Sequence, residues 1–295
     1  MGNYQIVNIF DLFKQFWQEH SHISISEQVK KYKAVFQKLY PELWQMQVDC
    51  YAEDDFDWKE AALKHVFPKY ADSVPFMQPL IEKLSNIIPW IFSQAVLTFQ
   101  FKFDIIFVLY VGLGCGAGWA TRYRDQPAVL MGIENIIECG WHSENSLAGL
   151  IAHEVGHLVH QEWRNQSQLP NKPVGNDSYW NLYEEGFAMR AEHKILNRES
   201  FHEAEGQDNW VEWCHQHRNW LAKEYLNAVE DKEKIRKFFG SWYDIKGYKQ
   251  TGYFLGHEIL KDWESSMSFR EIALLPLEEI NIKVKQHLNR WAELQ

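Results

Sequence analysis

Apolar residues follow helical spacing along most of the chain. Near the N-terminus, the aromatic residues within Phe10–Trp17 fall on one face, as they would on a helix packed against a core. A second stripe covers residues 29–39, with Ser26 as the expected N-cap and Pro41 as the stop. The same spacing predicts helices within residues 80–92, 147–158, 181–192, 205–240 and 268–288. The pattern therefore predicts a mostly helical protein.

Two short apolar runs, residues 105–111 and 128–133, break this pattern and predict buried strands. Alternate glycines follow the first run from position 112 to position 118. They do not form the G-x-G-x-x-G loop of dinucleotide-binding proteins, because position 117 is alanine. We expect a flexible hairpin or a loop on the substrate side. An anion site that uses Arg122 and Arg124 is the alternative.

The clearest chemistry lies in the stretch His153-Glu154-Val155-Gly156-His157, which reads H-E-x-x-H. On a helix, positions i and i+4 share a face, so both imidazoles can point at one zinc ion. Glu154 can then take a proton from a water at that ion, as in zinc peptidases. The apolar residues that flank the motif follow helical spacing. N-cap candidates precede them at Ser143, Asn145 and Ser146, and Gly149, Ala152 and Gly156 form a stripe of small residues on the same segment. The alternative is a buried helix whose histidines only satisfy hydrogen bonds.

A catalytic zinc ion has three protein ligands and one open position. The best candidate for the third ligand is Glu185, in a segment that looks helical from an N-cap at Asp177 or Ser178 to a stop near Asn197. A loop joins this segment to the histidine helix, as indicated by Pro170, Pro173, Gly175 and Asn176. Two helices joined in this way could bring His153, His157 and Glu185 together.

The chain resembles gluzincin metallopeptidases at Glu185-Gly186-Phe187-Ala188, which is similar to their E-G-x-A signature. In that signature the glutamate is the third zinc ligand, so the resemblance favours Glu185 over Glu184. The chain is more similar to the bacterial YjaZ-like family of predicted zinc-dependent proteases, which also has a G-Y-x-x-G element, here Gly252–Gly256. The resemblance covers roughly residues 100–290. It implies a zinc peptidase-like fold, and an edge strand that pairs with substrate, but no defined substrate.

Two further residues near the proposed ligands have open roles. His160 follows on the histidine helix, where it could be a ligand, a residue that supports a ligand, or a solvated side chain. Glu192 lies seven positions after Glu185 on the same face. It could accept the N–H of a ligand histidine, or it could be an ordinary exposed acid.

Peptide hydrolysis needs a general base and a donor to the developing oxyanion. Glu154 is the predicted base. Tyr253 and His257 are the candidate donors, since they lie four positions apart and share a face if that stretch is helical. The G-Y-x-x-G match favours Tyr253. For both residues the alternative is an ordinary aromatic contact in the core.

The charge of the chain limits its partners. Forty acidic residues against thirty Lys and Arg give a net charge of −10, which argues against nucleic acid and anionic membranes as partners. The four cysteines contain no C-x-x-C pair, so zinc fingers and dithiol redox motifs are not supported. No signal peptide or spanning run is visible, and we expect a cytoplasmic protein.

These observations predict an α+β, mostly helical, zincin-like fold with a small sheet beside the H-E-x-x-H helix. We expect an N-terminal helical lobe over residues 1–95 and a catalytic domain over residues 96–295. The predicted function is a zinc-dependent peptidase that acts on a peptide or protein. Two alternatives remain: a catalytically silent zinc-binding protein with a regulatory or interaction role, and a metal hydrolase that acts on a non-peptide amide.

Overall fold

A computed structural model describes residues 2–53, 56–173, 175, 177–229, 231–240 and 242–294. The protein is α+β and mostly helical with a small sheet, as the sequence predicts, and in the described residues this sheet has four strands. The chain forms two compact units, residues 1–147 and 148–295. The division near residue 95 into a helical lobe and a catalytic domain stays a prediction. Asn176, one of the predicted loop residues, lies outside the described residues.

The sheet belongs to the first unit. Its strands are β1 (Tyr4–Asn8), β2 (Ile105–Tyr110), β3 (Gly118–Tyr123) and β4 (Gln126–Gly132), in the order β1-β2-β4-β3. Strand β2 is parallel to both β1 and β4, and β3 is antiparallel to β4. The sequence predicted β2 and β4, which are largely buried. It missed the more exposed edge strands β1 and β3, so the prediction of helix alone before residue 95 is wrong at β1.

The helices of the first unit are α1 (Phe10–His20), α2 (Ile25–Leu39), α3 (Pro41–Glu53), α4 (Trp58–Ala61), α5 (Tyr70–Phe99) and α6 (Ile133–Cys139). Helix α2 has Ser24 as its N-cap rather than the predicted Ser26, because the Ser24 side chain accepts a hydrogen bond from the Glu27 N–H. Helix α5 extends well beyond the predicted residues 80–92 and contains three prolines.

Three buried tyrosines hold the start of the glycine-rich segment that follows β2. The hydroxyls of Tyr32 and Tyr51 donate to the carbonyl oxygens of residues 111 and 113, each at 2.6 Å, and Tyr70 donates to the carbonyl of residue 112. Three successive buried backbone carbonyls thereby accept hydrogen bonds from side chains instead of from a neighbouring strand. The start of this segment is therefore anchored, in contrast to the predicted flexible hairpin, while the predicted substrate-side loop stays a prediction.

The named elements in the described part of the second unit are helices, and an isolated β-bridge joins Ile245 to Tyr248. The helices of this unit are α7 (Glu144–Gln166, whose first turn is counted with the first unit), α8 (Ser178–Leu196), α9 (Trp210–Ala228), α10 (Lys232–Phe239), α11 (Thr251–Trp263), α12 (Phe269–Ala273) and α13 (Leu277–Glu293). Ser268 and Glu271 form a capping box at α12, as expected for the predicted cap. Among the described residues, no helix is both long and apolar enough to cross a membrane.

A fully buried arginine connects α7 to the C-terminal helices. Arg164 donates from Nε to the carbonyl of Pro170 at 2.8 Å, and from Nη1 to the carbonyls of Ala273 and Leu275 at 2.8 and 2.9 Å. Its guanidinium also lies 5.1 Å from the centre of the Trp180 ring. Burying a charge is costly unless polar partners compensate it. The turn between α12 and α13 supplies two of these partners.

Candidate metal centre

Helix α7 presents His153 and His157 on one face, one turn apart. The helix begins at Glu144, and Ser143, one of the three candidate N-caps, accepts a hydrogen bond at its Oγ from the Ser146 N–H at 3.1 Å. The Nε2 atoms of the two histidines lie 3.1 Å apart, and both residues are buried. Both rings therefore aim the same nitrogen at one point.

Helix α8 brings Glu185 to the same point. The side chain of Asp177 caps the start of this helix, and Asn197 ends it in a left-handed conformation with φ of 50°, as predicted. Oε2 of Glu185 lies 3.1 Å from Nε2 of His153 and 3.4 Å from Nε2 of His157. The three predicted ligands thus form one group that could hold a metal ion.

The neighbouring Glu184 points to a different partner. Its Oε2 accepts a hydrogen bond from the indole N–H of Trp180 at 2.9 Å. Burial raises the pKa of this carboxyl. Of the two adjacent glutamates, only Glu185 belongs to the histidine group, in agreement with the choice made from the sequence.

Small residues allow α7 and α8 to lie close together. A Cβ on Gly156 would lie 2.6 Å from the Cβ of Ala191 and 3.3 Å from the Cα of Ala188. A contact that short would force the helices apart. The predicted stripe of small residues therefore does have a packing role, and it brings the ligands of the two helices within reach of each other.

The electrostatics of the group favour a cation among these side chains. Burial by itself would lower the pKa of His157, but the Glu185 carboxylate outweighs it and the pKa rises to about 9, with a smaller contribution from Glu154. Burial lowers the pKa of His153 to about 4. Burial opposes ionisation of Glu185, yet the charge of His157 and the hydrogen bonds from both histidines lower its pKa. Near neutral pH the Glu185 carboxylate therefore faces a protonated His157 and a neutral His153.

A second buried group of donors adjoins the first and shares His153 with it. It consists of His153, Glu192, His202 and Glu203, and it too could hold a metal ion. The Glu192 carboxylate accepts hydrogen bonds from Ser200 Oγ at 2.5 Å and from His202 Nδ1 at 2.8 Å. Glu192 is fully buried, so its interpretation as an exposed acid is wrong. The histidine that it contacts is His202.

The two carboxyls of this second group resist ionisation. Burial raises the pKa of Glu192 to about 7 and that of Glu203 to about 8. Burial also lowers the pKa of His202. Two buried carboxyls beside a neutral imidazole are costly to ionise unless a positive charge compensates them.

Tyr253 and His257 lie in different surroundings, although both are on α11. The ring centre of Tyr253 is 5.7 Å from that of His153, beside the metal-ligand candidates. His257 instead accepts a hydrogen bond from Arg190 Nη1 at 3.0 Å and faces Glu258 Oε1 at 3.1 Å. Both ring nitrogens of His257 thus have other partners. Tyr253 is the better placed of the two candidates to act at the centre.

Of the remaining predicted residues, Glu154 is buried on α7 between the two histidines, and its charge contributes to the raised pKa of His157. His160 is fully buried, so it is not a solvated histidine. Its Nε2 lies 2.9 Å from the hydroxyl of Tyr183, and it belongs to neither donor group found among the described residues.

Sequence reasoning missed His202 and Glu203. They lie on a single 3-10 turn, His202–Ala204, which has no periodic pattern and follows the end of α8. The only indication in the sequence is a His-Glu pair ten positions after Glu192. That pair does not show which side chains are buried.

The chain matches no protein-family model, and searches of curated proteins and of solved structures return no match.

Proposed function

We propose that this protein is a zinc-dependent peptidase of zincin-like organisation, with His153, His157 and Glu185 as the metal ligands. The observation that carries the proposal is the convergence of one atom from each residue, Nε2, Nε2 and Oε2, with separations of 3.1 to 3.4 Å. The ligands come from two helices that are fixed by caps and by glycine contacts. Their arrangement does not depend on a loop.

The donor set suits zinc and leaves room for chemistry. Two imidazole nitrogens and one carboxylate oxygen are the ligand set of thermolysin-type catalytic sites, which keep a fourth position open. The Glu185 side chain is 25% exposed and that of His157 is 11% exposed, so solvent reaches one side of the group. A closed structural site would bury all of its ligands. This access favours a catalytic role over a silent one.

The residues around the ligands supply the other parts of a hydrolytic mechanism. Zinc at this site would supply Lewis acidity and a water that ionises near neutral pH. Glu154 is not one of the three proposed ligands and lies next to the first of them in sequence; in this proposal it would take the proton of the attacking water and return it to the leaving amine. Tyr253 would donate a hydrogen bond to the oxyanion that develops on the substrate carbonyl.

The substrate in this proposal is a peptide or protein. The E-G-F-A stretch supports the gluzincin assignment, because its glutamate takes part in the histidine group and its glycine lies at a close helix contact. The resemblance and the donor geometry thus favour the same residues.

The test is the metal content of the purified protein together with hydrolysis of a mixed peptide library. Wild type should contain about one tightly bound zinc ion at this site, as expected for a three-ligand catalytic site. His157→Ala and Glu185→Gln should lose both that ion and the hydrolysis. Glu184→Gln is the matched control, since it alters the adjacent buried carboxylate but should keep the metal. The proposal is wrong if Glu185→Gln keeps the metal and hydrolyses peptides like wild type.

A further inference from the structure

The second group of donors is closed to solvent, unlike the first. The donor atoms of His153, Glu192, His202 and Glu203 lie within 4.8 Å of one another. None of the four residues is more than 4% exposed, and the two glutamates are fully buried. A closed set of two imidazoles and two carboxylates resembles a structural metal site more than a catalytic one.

Several atoms of this group are buried without a hydrogen-bond partner. Both carboxylate oxygens of Glu203 and Nδ1 of His153 are in this state. Buried polar atoms are nearly always paired, and a buried carboxylate with no partner is among the most costly exceptions. His153 already directs Nε2 at the first group, so Nδ1 is the nitrogen that remains for the second.

His202 lies between the two carboxylates of this group. Its Nδ1 lies 2.8 Å from Glu192 Oε2, and its Nε2 faces Glu203. That Nε2 lies 3.4 Å from Glu203 Oε1, yet this oxygen has no hydrogen bond. A carboxylate that orients a histidine whose other nitrogen binds metal is a recurrent arrangement in metal sites.

Helix α7 leaves space for this group at Gly149, one turn before His153. A Cβ at this position would lie 2.6 Å from Glu192 Oε1 and 2.9 Å from the Cβ of His202. Any larger residue would push the two side chains away from the helix. The group is therefore built from α7, α8 and the 3-10 turn at close range.

We propose that His153, Glu192, His202 and Glu203 bind a second divalent cation, with Nδ1 of His153 facing it. Nitrogen and carboxylate donors in this number suit zinc and the neighbouring transition metals. The two carboxylates would balance the charge of the ion. His153 would lie between two ions and give up its remaining N–H proton to solvent. The site goes beyond the proposed peptidase centre and does not depend on its activity.

The competing explanation is that protons, rather than a metal, neutralise the two carboxyls. Substitution of Glu203 by glutamine separates the two explanations. The glutamine keeps the size of the side chain and removes a buried charge, so the variant should fold. If a proton already neutralises Glu203, the change leaves metal binding unaltered. If a cation does so, one ion is lost.

The experiment uses the full chain, stripped of metal with a chelator and titrated with Zn²⁺, with bound zinc measured by elemental analysis and folding by circular dichroism. Wild type should bind about two ions per chain, as two separate donor groups require. Glu203→Gln and Glu185→Gln should each bind one fewer. Glu199→Gln is the matched control, because Glu199 is nearby in sequence but its side chain is 78% exposed, and it should bind as wild type does.

The outcomes separate this site from the peptidase centre. An ion lost from Glu203→Gln but not from Glu185→Gln would support the second site while contradicting the first. Equal zinc in wild type and folded Glu203→Gln would overturn the second site. So would loss of all zinc from folded Glu203→Gln, because the group would then only support the first ion. If Glu203→Gln does not fold, His202→Gln takes its place with the same expectations.

Discussion

Gly186 and Gly256 meet where α8 crosses α11, and a Cβ on Gly186 would lie 2.8 Å from the Cα of Gly256 and would overlap its carbonyl group. Gly186 directly follows the metal-ligand candidate Glu185, and Gly256 lies three positions after Tyr253. This contact therefore fixes the distance between a candidate ligand and a candidate oxyanion donor. The same close contact explains why the glycine of E-G-F-A and the second glycine of G-Y-x-x-G cannot carry a side chain.

Gly186→Ala should destabilise the protein. In an unhindered helix this change stabilises by about 1 kcal/mol, but overpacking a close contact costs about 1–3 kcal/mol. We expect the cost of overpacking to exceed the gain in helix propensity. We also expect the affinity for zinc to fall, because Glu185 is displaced. Urea unfolding measures the first effect and zinc titration the second. Lys223→Ala, at an exposed position of α9, is the control; a stability gain in Gly186→Ala would contradict the observed contact.

Glu154→Gln should retain zinc and lose hydrolysis. The change removes the proposed base but none of the three ligands, and general-base catalysis contributes roughly 10²–10⁴-fold to rate. Peptide hydrolysis and metal content are measured on the same preparation. Glu162→Gln, two turns further along α7, serves as the control and should keep both. Wild-type turnover in Glu154→Gln would eliminate the proposed mechanism.

Metal affinity should rise with pH through the neutral range. His157 has its pKa raised to about 9, so at pH 7 it carries a proton that an incoming ion must displace. Since His153 has a pKa of about 4, it is already neutral there. One displaced proton corresponds to about a tenfold change in affinity per pH unit. We therefore expect a rise of about 100-fold between pH 6 and pH 8.

The measurement is zinc titration at several pH values in buffers with different ionisation enthalpies, which also counts the protons released. Glu203→Gln is the background in which to measure it, so that only the proposed catalytic centre is observed. An affinity that stays constant from pH 6 to pH 8 would mean that His157 is neutral before the metal arrives.

Tyr253→Phe should lower kcat without loss of zinc. Removal of one oxyanion donor typically costs roughly 10²–10³-fold in rate, and the phenylalanine keeps the ring contact with Phe239. His257→Gln should leave kcat close to that of wild type and reduce stability instead, because it disturbs the hydrogen bonds with Arg190 and Glu258. The comparison of kcat and of urea midpoints for the two variants decides between them. The opposite pattern would identify His257 as the donor.

The sequence was sufficient to predict those parts of the structure that follow local rules. The start of α7, both caps of α8 and the shared face of His153 and His157 depend on spacing and on cap residues, which can be read along the chain. The choice of Glu185 over Glu184 came from the resemblance, and the geometry agrees with it. In each case the relevant information lies within one or two helical turns.

The features that the sequence did not predict depend on tertiary contacts. Strands β1 and β3 are recognisable mainly through their pairing with β2 and β4, since neither is apolar throughout. His202 and Glu203 matter because the chain folds back on α7 at Gly149. Tyr253 and His257 share a helix, but whether each faces the centre is decided by α8 and its Arg190.

The hydrogen bonds of Arg164 limit how far the chain can be shortened from its C-terminal side. Two of its acceptors, the carbonyls of Ala273 and Leu275, lie within the last 25 residues. A fragment that stops before Ala273 would retain a buried guanidinium on the histidine helix and lose those acceptors, which is strongly destabilising. The smallest fragment that is worth expressing for activity therefore keeps the C-terminal helices, and purification tags are better placed after α13 than substituted for it.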